Sequence, residues 1–215
     1  MNGLYCPQMI NIDELLTAHP ALVPCGDSIR EAFALLREAI TSGGRIYVCG
    51  NGGSSADCQH IVGELMKGFL LKRPVSFTEK IAGALSPDTR ALLSVKLQGA
   101  IPCHSLTSET ALITALTNDI SADVIFAQQI YGYGRKGDAF IAISTSGNAK
   151  NVCLAAELAS AMGLRTLALT GQSGGRLIHL CDVSIRVPSD ATPKIQEYHL
   201  PIYHALCAEL EVAFF

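Results

Sequence analysis

No stretch of this chain approaches the ~18 uninterrupted apolar residues that a membrane span needs, although 49% of its 215 residues are hydrophobic and only 16% charged. The net charge is −3 and basic residues do not cluster, so an electrostatic footprint for nucleic acid is missing. No cysteine pair forms a CxxC. Cys6, Cys25, Cys49, Cys58, Cys103, Cys153, Cys181 and Cys207 fall singly, several inside apolar patterns, as buried reduced thiols do and as a disulfide framework or zinc knuckle does not. The opening Met1-Asn-Gly-Leu-Tyr-Cys6 has neither a basic nor an apolar leader segment, so a cytoplasmic protein is expected. Tandem repeats and a linker that would split the chain are also absent, and one domain over 1–215 is the expectation. The mean hydropathy of +0.31 is high for a chain with no membrane span. Burial between subunits accounts for that excess, which points to a homo-oligomer.

What is present centres on Val48 to Glu64, VCGNGGSSADCQHIVGE. An apolar run with strand character, Arg45 to Gly50, empties into Asn51-Gly-Gly-Ser-Ser55, and a helical pattern starts at once. Glycines after a strand allow a sharp turn and close approach to a ligand. Free N–H groups at the helix start, with the Ser54 and Ser55 hydroxyls, suit an anion such as phosphate. The loop lacks the GK[ST] of a P-loop and the third glycine of a dinucleotide fingerprint. His60 and Glu64, spaced i, i+4, share a helix face one turn further on. A glycine turn alone is commonly structural, and a lone His/Glu pair is more often a surface pair or a satisfied core histidine. Their combination marks a candidate site.

Along the chain, residues 1–26 read as irregular, with Pro7, Pro20 and Pro24 and a short helical stretch near Asp13–Thr17. Ser28 and Glu31 have capping-box spacing ahead of a helix that ends at Gly43-Gly44. The site helix is expected to run to about Phe69, where Lys72-Arg73-Pro74 breaks it. Residues 70–100 read as an insertion or lid-like segment with a helix at Asp88–Gln98, and Lys67, Lys72 and Arg73 as solvated charges. A short strand at Ile101–Leu106 is followed by helices at Ser108–Leu116 and through Phe126 to Tyr131. A third strand, Ala139–Ile143, ends in Ser144-Thr-Ser-Gly-Asn148 and leads into a helix from Ala149 to Met162. Strands at Arg165–Thr170 and Asp182–Val187 flank a short helix at Arg176–Leu180. The last helix begins near Pro193, runs to about Val212 and should kink at Pro201. Near-continuously apolar strands alternating with helices predict an α/β fold, a five-stranded parallel sheet with helices on both faces.

In such sheets ligands bind at the carboxyl ends of strands, at a topological switch point. The Gly50–Ser55 and Ser144–Asn148 loops should therefore face one crevice. The last helix adds Gln196, Glu197, His199, Tyr203 and His204. At ~100° per residue Gln196 and His204 lie about 80° apart, and His199 is similarly close to Gln196. Spacing alone leaves the choice between His199 and His204 open.

Taken together, Gly50-Asn-Gly-Gly-Ser54, His60-x-x-x-Glu64, Asn118-Asp119, Ile143-Ser-Thr-Ser-Gly-Asn148 and Ile195-Gln196-Glu197 with His204 resemble the sugar isomerase (SIS) domain family, and within it the phosphoheptose isomerases, over residues 28–213. The resemblance implies a single SIS domain, with 1–26 an N-terminal extension, and an aldose–ketose isomerase acting on sedoheptulose 7-phosphate. It further implies a homotetramer with interfacial active sites, supplying heptose for surface polysaccharide such as lipopolysaccharide. By the same resemblance Glu64 and His204 are the catalytic pair. Asn51, Gly52, Gly53, Ser54, Asp119, Ser144, Thr145, Ser146 and Gln196 bind the phosphorylated sugar. A zinc site falls on His60, Glu64, Gln196 and His204, which selects His204 over His199. Three positions depart from the family pattern: Ala149 replaces a frequent serine of the phosphate loop, Gly63 replaces a residue that is often acidic, and Pro201 is unexpected in the last helix. The rival readings are a non-catalytic SIS regulator of the replication-initiator-binding type, and an isomerase or sensor of another phosphosugar.

Overall fold

Five apolar stretches become β1 (Ile46–Gly50), β2 (Cys103–Ser105), β3 (Ala139–Ile143), β4 (Arg165–Thr170) and β5 (Val183–Arg186) in a computed structural model that describes residues 11–215. Cys6 and Pro7 lie outside the described residues. The strands form one parallel sheet in the order β2-β1-β3-β4-β5. Every residue of β1 and β3 is buried, as a sheet covered on both faces requires. Side chains alternate between two cores. Ile46, Val48, Ile141, Ile143, Leu167 and Leu169 enter one, with α1 (Ile12–Ala18), α2 (Gly26–Thr41), α3 (Gly53–Met66) and α9 (Thr192–Phe214). Tyr47, Cys49, Phe140, Ala142 and Ala168 enter the other, with α6 (Thr110–Asp119), α7 (Ile125–Tyr133) and α8 (Lys150–Ala161). The three-layer α/β architecture is the expected one.

From β1 the chain goes first to β2 on one side and then to β3 on the other, which places the switch point between β1 and β3. Gly50 pairs with Ile143, so the two candidate loops leave the sheet side by side. Gly50 itself has no room for a side chain, since a Cβ would meet Ser54 Cβ at 2.7 Å and the Ile143 carbonyl at 3.0 Å.

Several expectations are corrected. In the N-terminal stretch the short helix expected near Asp13–Thr17 is present as α1, and only the remainder read as irregular is corrected. Asn11 and Glu14 form the capping box of α1, and a 3₁₀ turn over Pro20–Cys25 feeds straight into α2. Ser28 therefore does not cap α2. With Cys25 already in the helical region the helix starts at Gly26, and the Ser28 hydroxyl donates to the Cys25 carbonyl (2.9 Å). The site helix ends at Met66, short of Phe69, because Lys67 is extended. The last helix is α9 as expected, with Pro201 inside it, and ends at Phe214, a little beyond Val212. Residues 74–100 hold the expected helix as α5 (Pro87–Lys96) and a further one, α4 (Glu79–Ala84), neither with a buried residue. Their base is tied where Pro74 bridges Gln98 and where the Gly99 N–H donates to the Arg73 carbonyl (2.7 Å).

The seven described cysteines are free and all but Cys181 are buried. Burial pushes their thiols up, Cys181 to about 12, so they stay protonated and inert. Among the described residues no helix is long and apolar enough to cross a membrane.

Candidate active site

The first loop turns at Gly52 (φ +56°), and α3 starts immediately with no side chain capping its first turn. The second turns at Gly147 (φ +65°), and α8 likewise starts without a side-chain cap. α2, α6, α7 and α9 also start without a side-chain cap and α1, α4 and α5 carry one, so what distinguishes α3 and α8 is that they start at the carboxyl ends of β1 and β3. Within the first turn of α3 the Ser54 and Ser55 N–H groups donate to the Asn51 and Gly52 carbonyls (3.1 and 3.0 Å), and in α8 the Val152 N–H donates to Asn151 Oδ1 (3.0 Å), so the donors these loops offer an anion are chiefly side-chain hydroxyls at helix starts. Ser54 and Ser144 are buried, Thr145 half-buried and Ser146 exposed, so exposure increases along the second loop from a fixed base. That base is built by backbone. The Gly147 N–H donates to the Ser144 carbonyl (2.9 Å), and the Arg176 and Leu177 N–H groups donate to the Gly147 carbonyl (2.9 and 3.1 Å). Asn148 completes it, donating through Nδ2 to the Ser146 carbonyl (3.0 Å) and accepting from the Arg176 N–H (3.0 Å).

Asn51 pairs with Asn151 at the start of α8 through two reciprocal amide hydrogen bonds of 2.9 and 3.1 Å, joining the two loops. Gln196, on the first turns of α9, lies directly over Gly53. A Cβ on residue 53 would meet its amide Nε2, so the glycine allows this close approach and a larger residue would push the Gln196 side chain aside. The expected Gln196 and Gly53 thus meet.

Beside this contact α3 and α9 bring the titratable groups together. His60 Nε2 is 3.1 Å from Glu64 Oε1 and 3.4 Å from His204 Nε2. The Glu64 side chain is 14% exposed and that of His60 42%. Lys67 Nζ stands 3.7 Å from the other Glu64 oxygen. The His204 pKa is lowered, chiefly by burial and then by His60, with Glu64 opposing. His199, the alternative left open by spacing, is fully buried under the sheet edge, 3.4 Å from the Thr170 carbonyl. Burial holds its pKa down at about 4, so it is a neutral core residue.

Tyr203, noted on the last helix without a role, gains one here, and two further groups, Asp57 and Asn151, escaped the sequence reading. The Tyr203 hydroxyl donates to Asp57 Oδ1 (3.3 Å) and lies 3.0 Å from His60 Nδ1, orienting the ring whose other nitrogen faces Glu64. Burial raises the pKa of both Tyr203 and Asp57. Asn151, the partner of Asn51, is the other missed group. Only Asp57, three residues before His60, offered a signal, as an acid on the site helix. Asp119, expected to contact sugar, ends α6 and accepts from Asn118 Nδ2 (2.7 Å). Among the described hydrogen bonds none links it to the two loops. Arg73 is no solvated charge. It is fully buried, its Nε 2.7 Å from Glu211 Oε1.

For a metal ion the donor types suit zinc, being imidazole nitrogens, a carboxylate and an amide oxygen. Among the described residues, however, no group of three or more His, Cys, Asp or Glu side chains is arranged to enclose an ion.

The sequence matches the SIS domain family over residues 23–82 and 84–171. It is 37% identical over 189 residues to the phosphoheptose isomerase of Rhodospirillum rubrum, covering 88% of this chain and 87% of that protein. It is 36% identical over 206 residues to the phosphoheptose isomerase of Aneurinibacillus thermoaerophilus, covering 96% and 90%. The fold superposes on the phosphoheptose isomerase of Francisella tularensis with a TM-score of 0.70 at 29% identity, covering 93% of this chain and 95% of that one. For the enzyme of Neisseria gonorrhoeae the TM-score is 0.67 at 30% identity, with 93% and 91% covered. With the glycine-serine loops, the α3–α9 cluster and the parallel sheet already in place, these matches assign the chain to the SIS domain family, among the phosphoheptose isomerases.

Proposed function

We propose that this chain is an aldose–ketose isomerase that converts sedoheptulose 7-phosphate to a manno-heptose 7-phosphate through a cis-enediol, supplying heptose for surface polysaccharide such as lipopolysaccharide. The observation that carries the reading is the meeting of Glu64, His60 and His204 from two helices next to a pair of uncapped, hydroxyl-lined loops. One part of the crevice suits a phosphate, and the adjoining part suits proton transfer.

In the chemistry, the hydroxyls of Ser54, Ser144, Thr145 and Ser146 receive the phosphate at the starts of α3 and α8. Binding there, remote from the reacting carbons, supplies the energy that positions them. Asn51, Gly52, Gly53, Asp119 and Gln196 hold the sugar chain. Glu64, mostly shielded from water, takes the proton from C2 of the aldose or C1 of the ketose and returns it to the neighbouring carbon. His204, with its pKa held below the usual histidine value, is a neutral imidazole near pH 7 and moves the proton between the two oxygens. Tyr203 keeps the His60 ring turned toward Glu64. Zinc held by His60, Glu64, Gln196 and His204 would polarise the sugar carbonyl.

We further propose a homotetramer in the cytoplasm, with the crevice completed by a second subunit. Its support is the exposed apolar surface, including Leu92, Val95, Leu97, Ile120 and Tyr131, and the open side of the crevice at His60. Analytical ultracentrifugation checks the state, and a monomer at working concentration would reject it. For the reaction, the purified chain should turn over sedoheptulose 7-phosphate much faster than pentose or hexose phosphates. Preference for another phosphosugar would keep the mechanism and replace the substrate. Loss of all turnover after zinc removal, with recovery on zinc addition, would establish the metal's part.

A further inference from the structure

Arg73 and Glu211 form a buried pair outside the crevice, and each also holds backbone. Arg73 Nη1 donates to the Leu65 carbonyl (2.7 Å) and Nη2 to the Glu64 carbonyl (3.1 Å). These are among the last carbonyls of α3, which have no partner within the helix. Glu211 accepts the N–H groups of Phe69 (2.8 Å), Leu70 (2.7 Å) and Leu71 (3.0 Å), the turn by which the chain leaves α3. The two side chains are 0% and 1% exposed, and the Phe215 ring covers the guanidinium at 4.8 Å. The pair thus fastens the C-terminal end of α3, including the backbone of Glu64, to α9 two turns beyond His204. The turn it holds carries Phe69, whose ring lies 5.5 Å from that of His204.

We propose that Arg73 and Glu211 are positioning residues of the acid–base centre, keeping Glu64 and His204 in register by clamping α3 and the Phe69 turn to α9. The inference rests on the isomerase reading above. Two features separate this role from general core support. The backbone group that Arg73 Nη2 holds belongs to Glu64 itself. The phosphate loops, at the other end of α3 and on α8, receive nothing from the pair.

Arg73→Lys keeps the charge but cannot fork to both carbonyls. Glu211→Gln keeps one acceptor oxygen for the three N–H groups. In whichever variant melts above the assay temperature, kcat should fall at least tenfold while KM stays within about twofold, since misplacement of order 1 Å at reacting groups costs roughly 10²-fold. The His204 ring proton signals should shift in NMR as Phe69 moves. A folded variant with wild-type kcat and an unshifted His204 would overturn the proposal. In the wild type, the Phe69, Leu70 and Leu71 amides should exchange as slowly as the sheet. Exchange as fast as in α4 and α5 would overturn the clamp even if neither variant folds. An inactive wild type with slow amides would instead overturn the isomerase reading alone.

Discussion

At the Ser144–Asn148 end of the crevice shape is held by backbone, through the turn at Gly147 and the N–H groups of Arg176 and Leu177. At the Glu64 end it is held by side chains from α3 and α9, through Tyr203 and Asp57 behind His60 and through Arg73 and Glu211 under Glu64. The first arrangement is rigid and tolerates little change of backbone, but each hydroxyl on it acts by itself. The second depends on single side chains, each fixing another. Binding and proton transfer therefore rest on different kinds of support, and substitutions should separate them.

The largest expected effect is at the side-chain end. Glu64→Gln should lower kcat by roughly 10²–10⁴-fold, the usual worth of a positioned base, with the fold and phosphate affinity intact by circular dichroism and phosphate titration. An unchanged rate would remove Glu64 from the mechanism. Next is the backbone end. Gly147→Ala places a Cβ at positive φ and against the Gly174 carbonyl, so the cost should be about 3 kcal/mol in urea unfolding. A neutral result would show that this loop is not rigid.

Similar in size is a pH effect in α9. His199, with a pKa of about 4 in the fold against an ordinary 6.5, binds protons in the unfolded chain first. Stability is therefore full above about pH 6.5 and is lost as pH falls toward 4, by up to about 3 kcal/mol. Denaturant unfolding at pH 7.5 and 4.5 measures this, and His199→Leu should flatten the difference. The smallest effect is Ser146→Ala, which removes one exposed hydroxyl. KM should rise roughly tenfold with kcat little changed, the lower end of what one hydrogen bond to a charged group is worth, as suits an exposed hydroxyl. A normal KM would take Ser146 out of the phosphate site.

The backbone-built end was the more legible in sequence. Gly-rich and Ser-rich turns at strand ends announce themselves within a few residues, and apolar strands alternating with helices gave the sheet. The side-chain end was read only in part. His60 and Glu64 share one helix turn, but Arg73 and Glu211 are 138 positions apart and Tyr203 and Asp57 146 apart. A buried arginine has the same letter as a solvated one, and nothing local to Lys72-Arg73-Pro74 marks the carboxylate that draws it in. The same limit applied to the spacing of His199 and His204, which left the choice to the family resemblance until packing against Thr170 and His60 told them apart. Ser28 misled for the opposite reason, since a local capping signal was overridden by the 3₁₀ turn packed in front of it.

The most direct measurement follows the proton itself: sedoheptulose 7-phosphate in deuterated water with the wild-type chain and with Glu64→Gln, before and after chelation and zinc addition, observed by NMR. Deuterium at C2 of a new aldose phosphate with the wild type, and none with Glu64→Gln, is the predicted result. Absence of exchange with the wild type under every metal condition would contradict enediol chemistry at this site and turn the search toward a protein partner.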